Sequence, residues 1–125
     1  MNKVERPVHL DLTRMTFPPM AIVSILHRIS GVLLFLLLPF ALYLLHHSLS
    51  SQDSFDQLQH QLHSPMMKLL SWILISSVAF HFFAGLRHMV MDCGIGESLK
   101  VARFTAFFVI FLAAIAIVLA GVWLW

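Results

Sequence analysis

The sequence predicts an all-α integral membrane bundle of three transmembrane helices. Of the 125 residues, 59% are hydrophobic and only 11% are charged, whereas charged residues make up about 25% of a typical soluble domain. Three apolar stretches are each long enough for the hydrocarbon core of a bilayer, which takes about 20 residues to cross. Residues 1–125 are therefore expected to form one membrane-anchor domain with no room for a separate catalytic domain.

The first helix is expected over residues 20–46. Residues 29–45 include no charged side chain, and such a run belongs in the hydrocarbon core. Pro18 and Pro19 stand just before it, and proline suits the start of a helix far better than its interior. The amino-terminal segment carries several charges and leads into an apolar run too long for a signal-peptide core, so it is expected to remain on the mature chain.

The second helix is expected over residues 65–88, after an outer loop at residues 47–64. Ser64 followed by Pro65 supplies an N-cap and a first-turn proline. Within the outer loop, some apolar residues have helical spacing and predict a short helix lying on the membrane surface. These residues are Phe55, Leu58 and Leu62.

The third helix is expected over residues 100–125 and has the most uniform composition. From Phe104 onwards it carries no charge, and it ends in Trp123 and Trp125. Tryptophan favours the interface between lipid and water, so the end of this helix is expected at a membrane surface.

The basic residues predict that the amino terminus lies in the cytoplasm. Most of them precede the first helix or lie between the second and third, whereas the outer loop is nearly free of them. The basic residues on the first side are Lys3, Arg6, Arg14, Arg87, Lys100 and Arg103. Short cytoplasmic loops are enriched in Lys and Arg. The arrangement gives no basic block of the kind that binds nucleic acid.

A first polar set occurs on the first helix, at Ser24, His27, Arg28 and Gly31. Their spacing of three and four residues places them on one helix face. A hydroxyl, an imidazole and a guanidinium together could hydrogen-bond a quinone carbonyl through Ser24 and hold an anionic group such as a haem propionate through His27 and Arg28. The alternative is that Arg28 extends along the helix to the lipid headgroups.

A second polar set occurs on the second helix, at His81, Gly85 and His88. His81 lies six residues before Arg87, about 9 Å along a helix, which places it inside the apolar core. Neutral imidazole is an axial ligand of haem iron, and Gly85 would leave room for a flat macrocycle. The alternative is a buried histidine hydrogen-bonded to a neighbouring helix. No second axial ligand at this depth is evident, so it is expected from another subunit.

Other chemistry has little support in the sequence. Cys93 is the only cysteine, which excludes an intrachain disulfide and a cysteine-rich metal centre built from this chain alone. His60 and His63 have a metal-compatible spacing, but no carboxylate or cysteine pattern completes a site. Asp92 could orient His88 or Arg87 or simply form an interfacial ion pair. No nucleophile and base pair of hydrolase type is visible, so the chain is not expected to be an enzyme by itself.

Two segments resemble the signatures of the succinate dehydrogenase cytochrome b556 subunit family. The first signature is carried by Arg6-Pro7-Val8 and Ser24-Ile25-Leu26-His27-Arg28-Ile29-Ser30. The second is carried by His81-Phe82-Phe83-Ala84-Gly85-Leu86-Arg87-His88-Met89-Val90-Met91-Asp92-Cys93-Gly94. Two long motifs in the right order, each beside the right helix, are far more specific than one short pattern.

The resemblance implies a membrane anchor of respiratory complex II. It would pair with a second small haem-ligating anchor, bind an iron–sulfur subunit and a flavoprotein subunit, and serve electron transfer from succinate to ubiquinone. By position, His81 would be the axial ligand to haem b, shared with the second anchor. Ser24 and Arg28 would line the ubiquinone site, and His27 and Arg28 would contact haem propionates.

The resemblance also implies a multi-pass membrane protein. A bacterial inner membrane is expected because no transit peptide precedes the match, but a mitochondrially encoded chain would lack one too. Two alternatives to a succinate dehydrogenase anchor remain. A fumarate reductase anchor would use the same architecture in the opposite physiological direction. A cofactor-free structural anchor would use its polar faces only to mate with neighbouring helices through hydrogen bonds.

Overall fold

The computed structural model describes residues 17–125, and these residues form four helices and no strand. The helices are α1 (Pro19–Ser50), α2 (Gln52–Leu62), α3 (Pro65–Asp92) and α4 (Leu99–Leu124). Three of them, α1, α3 and α4, are long and apolar enough to cross a membrane. The predicted all-α architecture with three spans is confirmed. The basic amino-terminal residues Lys3, Arg6 and Arg14, on which the predicted orientation partly rests, lie outside the described residues.

Helix α1 begins at the predicted proline pair and is longer than expected. Pro18 is extended and Pro19 opens the first turn, where its missing N–H costs nothing. The helix continues to Ser50, past the expected end at residue 46. It also contains Pro39, which cannot donate to the carbonyl of Phe35. Membrane helices accept such a proline because neighbouring groups satisfy the freed carbonyl.

Helix α2 confirms the short helix predicted within the outer loop. The Ser51 hydroxyl caps its start by accepting the Ser54 N–H at 3.1 Å. Leu58 is buried, and the Tyr43 hydroxyl on α1 donates to Gln61 Oε1 at 2.7 Å. The helix is therefore fastened to the end of α1, and this end of the bundle is called the α2 end below.

Helix α3 begins where the sequence predicts and ends later than it predicts. The Ser64 side chain accepts the Met67 N–H at 3.4 Å, which confirms the predicted N-cap. The helix then continues to Asp92, because residues 89–92 contain neither proline nor glycine. Gly94 and Gly96 follow with φ of 77° and 80°, a conformation that other residues rarely adopt. They turn the chain into α4, and this end is called the loop end.

Helix α3 is the centre of the bundle and packs against both other spans. The buried residues of α4 are alanines and one valine, and two of them, Ala106 and Val109, form a buried cluster with Ala84 of α3. Small residues let membrane helices approach closely, which is the main source of packing energy in lipid. Near the α2 end, Trp72 Nε1 donates to the carbonyl of Ile117 at 3.0 Å and joins the same two helices.

The outer faces of the three spans are strongly apolar. Phe35 is 75% exposed and Phe104 is 70% exposed, and many other large apolar side chains share this environment. Such surfaces suit contact with lipid or with other membrane subunits, since neither solvates polar groups.

Candidate functional site at the α1–α3 interface

Three histidines meet between α1 and α3. The imidazoles of His27 and His81 stack with ring centroids 4.1 Å apart and an interplanar angle of 18°. His88, two turns along α3, lies against His27 with centroids 5.1 Å apart. The fold therefore joins the two polar sets that the sequence placed on separate helices.

Two glycines make this close approach possible. A Cβ at Gly31 would lie 3.2 Å from His81 Cε1, and a Cβ at Gly85 would lie 3.2 Å from His27 Nε2. Each ring therefore lies over the glycine of the opposite helix. The sequence led us to expect space for a macrocycle beside Gly85, but the His27 ring occupies that position, because α1 packs there.

The hydrogen bonds of His81 determine its tautomer. Its Nδ1 lies 3.0 Å from Ser30 Oγ and 3.2 Å from the main-chain carbonyl oxygen of His27. The Ser30 hydroxyl donates to the same carbonyl at 2.7 Å. A carbonyl oxygen can only accept, so Nδ1 carries the hydrogen. The Nε2 atom then keeps its lone pair, which is the form of imidazole that ligates a metal.

His27 is less well satisfied than His81. Its Nε2 is buried and has no hydrogen-bond partner among residues 17–125. A buried polar atom without a partner costs free energy, and most such atoms in folded proteins are paired. His27 Nε2 is therefore a buried polar atom that the described chain leaves unsatisfied, as it also leaves the hydroxyls of Ser71 and Ser76.

Arg87, which the sequence analysis used as the charged limit of the second apolar run, is buried inside the bundle. His81 lies eleven residues before the end of α3 at Asp92, about 16 Å along the helix. Arg87 is only 8% exposed. Its Nε donates to Thr105 Oγ1 at 3.1 Å and its Nη2 to the carbonyl of Ala102 at 3.0 Å. It is thus a buried contact between α3 and α4.

Ser24 and Arg28 lie beside the histidine cluster and not within it. Arg28 is exposed and Ser24 is half-buried, one turn apart on α1. Neither forms a hydrogen bond with another residue of the described chain. Asp92 is also exposed, and the partners of Arg87 are on α4. The Ser24 and Arg28 side chains thus form an open polar edge near the loop end.

The other histidines of residues 17–125 lie at the α2 end, and two of them, His46 and His47, contact nearby residues. His47 Nδ1 lies 3.1 Å from the Tyr43 carbonyl, and the two rings are tilted by 38° with centroids 4.2 Å apart. His46 Nε2 lies 3.4 Å from Ser50 Oγ. Within residues 17–125, no three His, Cys, Asp or Glu side chains are placed to hold one metal ion.

Sequence reasoning missed the roles of Ser30 and Arg87. Ser30 appeared only as the end of a motif, yet it is 5% exposed and bonds His81. Its spacing of three residues from His27 places both on one face, a signal that could have identified it. Arg87 was interpreted as a topology signal, and nothing in its sequence context distinguishes a surface arginine from one that turns towards a neighbouring helix.

Comparison with known proteins agrees with this architecture. The family described as "Succinate dehydrogenase/Fumarate reductase transmembrane subunit" matches residues 2–120. The chain is 54% identical to the succinate dehydrogenase cytochrome b556 subunit of Coxiella burnetii, over 97% of this chain and 98% of the relative. It is 34% identical to the cytochrome b560 subunit of Porphyra purpurea, over 74% of this chain and 75% of the relative.

A more distant relative matches over nearly the same span. It is the succinate dehydrogenase cytochrome b560 subunit of Reclinomonas americana, 28% identical over 95% of this chain and 86% of the relative. The family match and the similarity to the Coxiella subunit both cover almost all of the three-span bundle. The chain therefore belongs to the family of succinate dehydrogenase and fumarate reductase transmembrane subunits.

Proposed function

We propose that this chain is a cytochrome b membrane anchor of succinate dehydrogenase, that His81 is an axial ligand of haem b, and that Ser24 and Arg28 form part of a ubiquinone site. The observation that carries the proposal is the tautomer of His81. Its Nδ1 donates within the chain, so Nε2 keeps the lone pair needed for iron. The names of the relatives, cytochrome b556 and b560, support a b-type haem.

The nitrogen donors near His81, and not a preformed space beside Gly85, support a haem shared between two subunits. A bound haem b supplies a one-electron carrier inside the membrane. His81 would provide one axial ligand and a second small anchor subunit the other. His27 and Arg28 would hold the propionates, since an anionic oxygen would satisfy the buried His27 Nε2 and the exposed Arg28 guanidinium offers charge-assisted hydrogen bonds.

The haem assignment is tested by a reduced-minus-oxidised visible spectrum of the purified complex. His81→Ala is expected to abolish the b-type band, while a gel shows that all subunits remain assembled. The matched control is His46→Ala, which removes an exposed histidine at the α2 end and is expected to leave the band intact. An unchanged band in His81→Ala would contradict the assignment and direct attention to His27 or His88.

The open polar edge of α1 suits a ubiquinone headgroup. Ser24 offers a hydroxyl donor to one quinone oxygen, and the Arg28 guanidinium offers fixed positive charge that favours the reduced states. Ser24 lies five residues from the start of α1, about 8 Å along the helix. A lipid-soluble quinone at that depth could meet an iron–sulfur subunit docked on the loop end, which would supply the rest of the site.

This ubiquinone site is tested by separating two activities of the assembled complex. Ser24→Ala and Arg28→Leu are expected to weaken quinone reduction while succinate oxidation with an artificial acceptor persists. Arg103→Leu, an exposed arginine near the same membrane end on α4, serves as the control for loss of a surface charge. Equal loss of both activities in Arg28→Leu would indicate an assembly defect and contradict a role in quinone binding.

The proposed setting is a bacterial inner membrane, with the loop end and amino terminus on the cytoplasmic side. Lys100 and Arg103 are exposed at the loop end, whereas the α2 end carries Lys68 together with Asp53 and Asp56. This asymmetry supports the orientation even though Arg87 is buried. The proposed partners are the second anchor, the iron–sulfur subunit and the flavoprotein subunit.

A cofactor-free structural anchor is the second candidate, favoured by one observation. His81 already bonds Ser30 and the His27 carbonyl on the neighbouring helix, and such bonds can serve helix packing alone. Absence of a b-type band in the native complex would support this candidate. A fumarate reductase anchor would have the same architecture. It would be distinguished by the direction of the reaction, since its complex would oxidise a quinol and reduce fumarate.

A further inference from the structure

We propose that Ser30 is the positioning residue of the haem ligand, because its hydroxyl receives the Nδ1–H of His81 and leaves Nε2 as the nitrogen that carries the lone pair. This inference rests on the proposed haem ligation by His81. It assigns to Ser30 a task that neither the helix count nor the family match specifies. Three short contacts, together with the burial of Ser30, support this role.

The three contacts form a closed triangle. Ser30 Oγ lies 2.7 Å from the His27 carbonyl oxygen, and His81 Nδ1 lies 3.0 Å from Ser30 Oγ and 3.2 Å from the same carbonyl. The hydroxyl has one hydrogen, and donation to the carbonyl leaves its lone pairs free. Ser30 Oγ therefore accepts from Nδ1, and the carbonyl shares that hydrogen at the longer distance.

Burial strengthens the hydrogen bonds of this triangle. Ser30 is 5% exposed, so water does not compete for its hydroxyl. The His81 ring also lies over Gly31, where an added Cβ would be 3.2 Å from Cε1, and against the His27 ring. The ring is thus restrained from two directions and hydrogen-bonded at one nitrogen.

A hydrogen bond to the non-ligating nitrogen affects the metal in two ways. It fixes the orientation and tautomer of the imidazole, and it makes the ligating nitrogen a stronger donor. A stronger donor stabilises ferric over ferrous iron and lowers the midpoint potential. Loss of such a partner typically weakens metal binding by about 10-fold to 100-fold. The His27 carbonyl would still accept from Nδ1 without the hydroxyl, so the lower figure is expected for Ser30.

The test compares Ser30→Ala with Ser30→Thr in the assembled complex. Redox titration of the b-type band gives the midpoint potential, and the haem-to-protein ratio after dilution gives retention. Ser30→Ala is expected to shift the potential to a more positive value and to lose haem about 10-fold more readily. Ser30→Thr keeps the hydroxyl and is expected to restore both quantities towards native values.

Ser76→Ala is the matched control. Ser76 lies in the same cleft between the helices as Ser30, and its buried hydroxyl has no hydrogen-bond partner in the described chain. Its removal is expected to change neither quantity. If Ser30→Ala does not assemble, Ser30→Cys is used in its place, because a thiol has similar size but is a weak acceptor. The midpoint potential of the haem in Ser30→Cys is expected to shift in the positive direction, as predicted for Ser30→Ala.

The outcomes separate this inference from the proposed function. Native potential and native haem retention in assembled Ser30→Ala or Ser30→Cys would overturn the role of Ser30 and leave His81 ligation standing. A b-type band that persists in His81→Ala, or its absence from the native complex, would overturn both. A positive shift in Ser30→Ala that Ser30→Thr reverses and Ser76→Ala lacks would support the positioning role.

Discussion

Helix α3 has two polar interfaces that are satisfied to different degrees. Against α4, the buried Arg87 guanidinium donates to Thr105 and to the Ala102 carbonyl. Against α1, His81 has partners for Nδ1 only, and the buried His27 Nε2 has none in the described chain. Among residues 17–125, no nitrogen of Arg87 is a buried atom without a partner, as expected of a structural contact, whereas the second interface leaves the buried His27 Nε2 unpaired.

The difference matters because lipid does not provide substitute hydrogen bonds. In a soluble protein, water can hydrogen-bond the unpaired polar groups of an interface. In the hydrocarbon core no water is available, so an unpaired polar group retains its desolvation cost. An ionisable group that a membrane helix keeps in this state is therefore expected to have a function. The contrast separates a packing role for Arg87 from a binding role for the histidines, and four substitutions test it.

The largest effect is expected from Gly31→Ala. Its Cβ would lie 3.2 Å from His81 Cε1, and the ring cannot easily withdraw because Nδ1 is hydrogen-bonded. We expect haem retention to fall by at least about 10-fold, as for loss of ligand positioning, measured from the visible band per assembled complex.

Gly121→Ala is the control for Gly31→Ala, since its Cβ would lie 3.3 Å from Trp72 Nε1, a similarly tight contact at the α2 end. It is expected to lower stability and leave the haem band at native intensity. Equal loss of haem in both variants would mean that overpacking anywhere in the bundle releases haem, and would contradict a specific role for Gly31.

The next effect is expected from Thr105→Val, which removes a hydroxyl and keeps the shape. Arg87 Nε would then be left without its partner at 3.1 Å, and an unsatisfied buried donor costs about 1 to 3 kcal/mol. The measurement is the midpoint of thermal inactivation of the complex in detergent. Thr105→Ser retains the hydroxyl and should stay near the native midpoint, and an unchanged midpoint in the valine variant would show that Arg87 finds another partner.

A smaller effect is expected from His27→Phe. The phenyl ring can still lie over Gly85 and stack on His81, so the bundle itself should keep its stability, or gain slightly by losing an unpaired polar atom. Haem retention is expected to fall several-fold, because the proposed propionate contact is lost, and the visible band and the inactivation midpoint are measured together. A lower midpoint with unchanged haem retention would assign His27 to packing.

The smallest effect is expected from Arg87→Met. Removing the guanidinium also removes the cost of burying it, and Thr105 Oγ1 already donates to the Ala102 carbonyl at 3.2 Å. Replacing a buried polar pair with apolar groups is often close to neutral. The inactivation midpoint should therefore move less than in Thr105→Val, with a native haem band. A larger loss than in Thr105→Val would mean that Arg87 has a function beyond this contact.

The sequence alone was enough for the membrane class, the three spans and the helix starts. Apolar runs of spanning length are stable only in a lipid bilayer. The helix starts depend on neighbouring residues in the sequence, namely the proline at Pro19 and the capping hydroxyl of Ser64. The ends of α1 and α3 were less predictable from the sequence, because residues 47–50 and 89–92 include neither proline nor glycine and so do not forbid helix. The glycines with positive φ end α3 at a point that charge patterning did not indicate.

The sequence also identified His27 and His81 as the residues to examine, since ionisable groups in an apolar run are rare and costly. Only the tertiary structure decided that the two rings stack, that Gly31 and Gly85 admit them, and that Ser30 bonds His81. Only the tertiary structure likewise showed that the Arg87 side chain hydrogen-bonds α4. These facts depend on the rotation and separation of helices distant in sequence, which the periodicity of one helix cannot determine, because each helix presents several faces and packing selects among them.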